Sequence, residues 1–444
     1  MLLRQELKVN IKYGTESISI LIMLEMRTQF GYFALRRTNM ANDAERDVYF
    51  DHAATTPVDP RVVDAMLPYF AMKYGNPSSH IHSKGVVANQ ALDEARAGVA
   101  KLINAPAESL IFTSGATEAN NLAIRGYLEA NRNRGKHLII SEIEHYSVIN
   151  LCLKLKREGY DLTLLPVDAG GLVSPDALRQ AIRKETALIS IQHTSSEIGT
   201  IQQIKELAAV ARSTDVFFHT DAAASTGNIP VGVDDLGVDA LTLSAHNFYG
   251  PKGVGALYLR PGIKIEPQLI GGFQERGYRS GTENLAGIVG MAKAAELARA
   301  EMPQRQEHLR KLQRRLWEGL GKQYDFLHFT GHREQRLPGH VSFWMEYIEG
   351  ESLLLFLNVY GVQTASGSAC ASNMRGETEH DLAASHVLTA VGVPAEYCSG
   401  SLTVSMGKNN TEDEVDYMLQ VFPQIVEKLL AMSPLWADRL KGKT

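Results

Sequence analysis

A chain of 444 residues, 44% of them hydrophobic, is long enough for two domains with substantial cores. Its 45 Lys and Arg against 50 Asp and Glu leave a net charge of -5, so no basic surplus marks a nucleic-acid binder, and no apolar run approaches the roughly 18 residues of a membrane-spanning helix. Three cysteines, Cys152, Cys370 and Cys398, are too few and too scattered for a disulfide framework or a closed four-ligand metal site, and a reducing, cytoplasmic setting is the expectation.

Residues 1–40 stand apart as a leader of unknown role. Their longest apolar run, Ile18 to Met26, contains Ser19 and Glu25 and is too short to cross a bilayer. Arg27, Arg36 and Arg37 suit an organelle presequence, but Glu6, Glu16 and Glu25 oppose one. From Leu110 to Tyr258 short apolar runs alternate with longer amphipathic segments. Leu110-Ile111-Phe112, His137-Leu138-Ile139-Ile140, Leu162-Thr163-Leu164-Leu165, Leu188-Ile189-Ser190-Ile191, Val216-Phe217-Phe218-His219 and Ala240-Leu241-Thr242-Leu243 recur at βα spacing. This predicts a mostly parallel sheet with helices on both faces and a ligand site at the carboxyl ends of the strands. A long helix is expected from Ile288 to about Leu320, punctuated by Pro303, and a last one from Thr411 to about Met432, opened by the capping box Thr411 to Glu414.

The chemistry-bearing motifs fall at those strand ends. Ser114-Gly115-Ala116-Thr117, after a strand and before a helix, offers backbone N–H groups and a hydroxyl to an anion, although such a turn alone is more often a plain helix start. It belongs to a larger set: Tyr49-Phe50-Asp51-His52-Ala53-Ala54-Thr55-Thr56-Pro57, Tyr74-Gly75-Asn76-Pro77-Ser78-Ser79, Gln274-Glu275, Arg279-Ser280-Gly281-Thr282-Glu283-Asn284 and Ser366-Gly367-Ser368-Ala369-Cys370. With His246-Asn247-Phe248-Tyr249-Gly250-Pro251-Lys252-Gly253, the set resembles the cysteine desulfurases of the class V aminotransferase family, which use pyridoxal phosphate (PLP). The resemblance implies an α/β protein of PLP fold type I: a large cofactor-type domain over 48–300 with a mostly parallel sheet, and a smaller C-terminal α+β domain over 301–444.

It also implies roles for residues. Gly115, Ala116, Thr117, Ser244 and His246 match the cup for the cofactor phosphate, and Thr282 matches a phosphate contact made across a homodimer interface. Asp221 matches the carboxylate that keeps the pyridine nitrogen protonated and the ring an electron sink, and His145 the imidazole stacked on that ring. Cys370, with His145 the catalytic assignment, matches the persulfide-forming cysteine of a mobile loop and is a possible ligand of a shared iron-sulfur cluster. Asn247 stands where the family has its Schiff-base lysine, and an amide nitrogen delocalised into its carbonyl does not condense to a stable imine. Ala224 replaces a glutamine, Ser196 an asparagine, and Thr403 the arginine that grips the substrate carboxylate.

Two readings follow. In the first, lysine-dependent catalysis is lost, PLP is bound non-covalently or absent, and the homodimer serves a sulfur acceptor or iron-sulfur scaffold protein as a binding partner. In the alternative, the chain is an active cysteine desulfurase, turning L-cysteine into L-alanine and persulfide sulfur, or another PLP enzyme with non-covalent cofactor. Nucleic-acid and membrane partners are not expected on either.

Overall fold

The structure, a computed structural model, describes residues 46–366, 385–398 and 400–442, so that most of the leader and the segment carrying Cys370 lie outside the described residues. Its strands are β1 (Val48–Tyr49), β2 (Leu110–Thr113), β3 (His137–Ser141), β4 (Asp161–Leu165), β5 (Thr186–Ser190), β6 (Phe217–Asp221), β7 (Ala240–Ser244), β8 (Gly255–Leu259), β9 (Leu327–Phe329), β10 (His340–Met345), β11 (Val362–Gln363) and β12 (Ser401–Ser405). Seven form the central sheet in the order β2-β8-β7-β6-β5-β3-β4.

From β4 through β7 the pairings are parallel, as the spacing predicts. The departure is β8, antiparallel to both β7 and β2. Only residues 245–254 separate it from β7, too few for the crossover helix that a parallel return needs.

Side chains alternate across the strands. Ile139, Ile189, Phe218 and Leu241 pack on one face with residues of the helices Ser83–Leu102 and Leu285–Gly321. Leu138, Ile140, Leu188 and Phe217 pack on the other, with the helices Ala116–Ala130 and Tyr146–Arg157. Burial on both faces is why these strands read as nearly continuous apolar runs.

A further core lies around the antiparallel sheet β12-β10-β9 and the helix Glu412–Met432, whose start carries the predicted capping box between Thr411 and Glu414. The helix Leu285–Gly321, about 55 Å long, gives Met291 and Ala298 to the first core and Leu312, Leu316 and Leu320 to this one. Single bridges Asp51 to Ser405 and Ala365 to Thr403 attach the chain beside β1 and β11 to β12, bringing Asp51 and Thr403 into one neighbourhood. No helix among the described residues is long and apolar enough to cross a membrane.

Candidate functional site

The candidate anion-binding end lies where β2, β8 and β7 run side by side. Gly255 pairs with Thr113 on one side and Ser244 on the other. A Cβ on Gly255 would lie 2.8 Å from the backbone of Gly115, so glycine is needed for the Gly115 turn to close over the strand ends. Ala116 and the exposed Thr117 begin the helix whose unpaired N–H groups follow that turn. The Ser244 hydroxyl is buried without a hydrogen-bond partner, an orphan that a phosphate oxygen would satisfy. His246 is half-buried, its Nδ1 3.3 Å from Thr55 Oγ1, and burial, with the charge of Lys252, lowers its pKa. Thr282 is exposed, in the loop that follows the Arg279–Glu118 ion pair at 2.9 Å.

The ring end is a hydrogen-bonded chain. Asp221, at the end of β6, accepts from the Ala223 N–H at 2.9 Å and from Asn120 Nδ2 at 2.7 Å. Asn120 Nδ2 also donates to Ser147 Oγ at 2.8 Å, and Ser147 reaches His145 Nδ1 through Oγ at 2.8 Å and its N–H at 3.1 Å. Because His145 Nδ1 accepts, its neutral ring carries the proton on Nε2. A carboxylate at one end and an exposed imidazole at the other fit a protonated pyridine ring, so these residues and the orphan Ser244 hydroxyl suit both ends of PLP.

Asn247 lies in a short 3₁₀ turn, Ala245–Phe248, that follows directly on Ser244. Thr56 Oγ1 donates to the His246 carbonyl at 2.7 Å and accepts from the Tyr249 N–H at 2.8 Å, fixing the turn from both sides of Asn247. With Ala224, Asn228, Tyr249 and Ser196, Asn247 lines a cavity of about 50 Å³. A second cavity, of about 110 Å³, is lined by His145, Ser196, Thr403, Asp51, Glu144 and Glu197 among others. The two share Ala53 and Ser196. Asn247, Ala224, Ser196 and Thr403, the four positions at which the sequence resemblance implies a departure, therefore converge. Thr403 is buried and its Oγ1 donates to the Glu197 carbonyl at 3.1 Å.

The three carboxyls of the larger cavity were given no role by sequence reasoning, although Asp51 falls inside a motif and Glu144 and Glu197 stand beside His145 and Ser196. Burial pushes Asp51 up to about 6, Glu197 to about 7 and Glu144 to about 8. Burial also holds His52, His137, His193 and His219 down at about 4 and His340 at about 3. A raised carboxyl binds more protons folded than unfolded, so it takes stability away as pH rises from about 4 toward its folded value. The lowered histidines act oppositely and restore stability up to about pH 6.5. Thermal stability should peak near pH 6.5 and fall toward pH 8.5, with Glu144 contributing at most about 2 kcal/mol of that fall. Glu144→Gln should flatten the alkaline limb; melting temperatures that rise from pH 6.5 to 8.5 contradict this account.

Cys152 sits in the helix Tyr146–Arg157, fully buried, with its thiol pushed up to about 12 by burial. Cys398 is buried and its thiol donates to the Val393 carbonyl at 3.7 Å. Cys370 lies outside the described residues.

Residues 48–418 match the family Aminotransferase class-V. The chain is 51% identical over 388 residues to cysteine desulfurase IscS of Methanosarcina thermophila, covering 87% of this chain and 94% of that one. Among solved structures it is similar to a NifS-like protein, with a TM-score of 0.79, 36% identity and coverage of 86% of this chain and 99% of the other. It is also similar to SspA in complex with cysteine, with a TM-score of 0.70, 34% identity and coverage of 82% and 100%.

Proposed function

Since the chain belongs to the class V aminotransferase family, among its cysteine desulfurases, we propose that it handles sulfur without the ordinary lysine-dependent PLP chemistry, as a homodimeric binding or scaffold partner in sulfur transfer or iron-sulfur cluster assembly. One observation carries the reading: Asn247, Ala224, Ser196 and Thr403 all line the two adjoining cavities, whereas Ser244 and Asp221 keep the groups that suit the phosphate and the ring nitrogen. Change is concentrated at the reacting side. PLP, held non-covalently, remains compatible with the retained residues, and it would supply an electron sink. That retention is what favours the alternative of a weak or different PLP enzyme.

In this reading Cys370 is the working group, the cytoplasm is the setting, and sulfur made elsewhere arrives as a persulfide. The Cys370 thiolate attacks the outer sulfur, the donor S–S bond breaks, the donor thiolate leaves, and a new persulfide remains on Cys370 without net oxidation. Mass spectrometry after exposure to a small persulfide should find about 32 Da added at Cys370, none at buried Cys152, and none in Cys370→Ser. The same preparation should sediment as a homodimer at micromolar concentration. No sulfur gained at Cys370, or a monomer, contradicts the corresponding part of the reading.

A further inference from the structure

Three carboxyl-bearing residues, Asp51, Glu144 and Glu197, stand around the cavity beside His145, and no Lys or Arg is among its described lining residues. Two of them, Asp51 and Glu144, keep a buried oxygen without a partner, while Glu197 accepts from the Ser385 hydroxyl. Glu144 is 0% exposed; its Oε1 accepts from Ser141 Oγ at 2.5 Å and from the Gln192 N–H at 2.8 Å, while Oε2 is buried without a partner. Asp51 Oδ1 is likewise buried without a partner. The Thr403 hydroxyl, the nearest replacement for a cationic side chain, is spent on the Glu197 carbonyl.

We propose that this cavity recognises a primary ammonium group on a small aminothiol lacking a carboxylate, of which cysteamine is the simplest. An ammonium carries three N–H donors and one positive charge; the donors match the unpartnered oxygens, and the charge draws carboxyls that burial keeps toward their neutral form into ionisation. A substrate carboxylate brings only acceptors and is repelled by each of these carboxyls that ionises. Size agrees, because about 110 Å³ holds roughly four groups the size of a water molecule, and cysteamine has a nitrogen, two carbons and a sulfur. The thiol in this ligand class rests on the proposed role in sulfur handling; the preference for ammonium over carboxylate rests on the cavity alone.

Isothermal calorimetry on the full chain as purified, with cysteamine, L-cysteine and 3-mercaptopropionate, tests it. Cysteamine should bind at least about tenfold more tightly than L-cysteine, and 3-mercaptopropionate not measurably. Glu144→Gln should weaken cysteamine by about 10- to 100-fold, and Thr403→Arg, with Glu144 intact, should abolish the preference. L-cysteine or 3-mercaptopropionate binding as tightly as cysteamine, no binding by cysteamine, or a folded Glu144→Gln protein with unchanged cysteamine affinity overturns the proposal. Ethylamine separates the two premises: binding like cysteamine keeps the ammonium site, while sulfide release from L-cysteine at an ordinary desulfurase rate would remove the proposed loss of lysine-dependent catalysis and leave the binding order intact.

Discussion

Given L-cysteine and PLP, the unmodified protein should release sulfide at least about 10²- to 10⁴-fold more slowly than a lysine-bearing relative in the same assay, the range that losing a proton-transfer group produces. Asn247 supplies neither an amine nor a base, and the turn that carries it is fixed by Thr56 on both sides, so the backbone is not free to bring another group to the same place. Lys252 is exposed, five residues along. Substrate binding suffers separately. Replacing a charge-assisted hydrogen bond to the carboxylate costs roughly 1.5–3 kcal/mol, about one to two powers of ten in affinity, and Thr403 Oγ1 is already engaged with Glu197. Asn247→Lys alone should thus raise kcat while leaving KM high, and adding Thr403→Arg should lower KM only partly, because Asp51, Glu144 and Glu197 would compete for the new guanidinium. Turnover by the unmodified chain within tenfold of the relative would end the proposed loss of catalysis.

The parts of this arrangement differ in how far the sequence reveals them. Runs such as Leu138-Ile139-Ile140 and Leu188-Ile189 announce strands buried on both faces, and the motif residues at their ends are legible because the fold class puts ligands there. The start of the long helix is set at Leu285 rather than Ile288 because Asn284 caps it, accepting from the Gly287 N–H at 3.1 Å. β8 is harder, since Ala256-Leu257-Tyr258-Leu259 has no helix after it to mark a βα unit. The acidic character of the larger cavity is harder still. Asp51, Glu144 and Glu197 come from three separate connections, and their burial depends on distant residues: Ser385 donates to Glu197, and His386 reaches the Glu144 carbonyl at 2.9 Å. Local pattern carries no signal for such an encounter.

Replacing Glu275 by alanine should destabilise the fold by about 3–5 kcal/mol, the range for breaking a buried ion pair from one side. Its carboxylate accepts from Arg96 Nη1 at 2.7 Å, Arg96 Nη2 at 2.6 Å and the Phe112 N–H at 2.8 Å, with side chains only 2% and 9% exposed for Glu275 and Arg96. Without it Arg96 keeps only the Leu110 carbonyl, at 3.0 Å, and the face of Phe112, 4.8 Å from its ring centre. A buried guanidinium is then left uncompensated, which costs more than the pair ever contributed. The backbone adds to this. Glu275 and Arg276 hold φ of 47° and 59°, a region that side-chain-bearing residues enter only when their surroundings compel them, and the Glu275 contacts provide that compulsion. The same turn leads into Arg279 and Thr282, so its loosening should weaken the proposed homodimer as well as the monomer fold. Glu275→Gln should cost less than Glu275→Ala, and so should Arg96→Met combined with Glu275→Leu, because no unpaired charge remains there. Urea denaturation measures all three; a loss below about 1 kcal/mol for Glu275→Ala would mean that water or rearrangement satisfies Arg96 and that the turn does not depend on the pair.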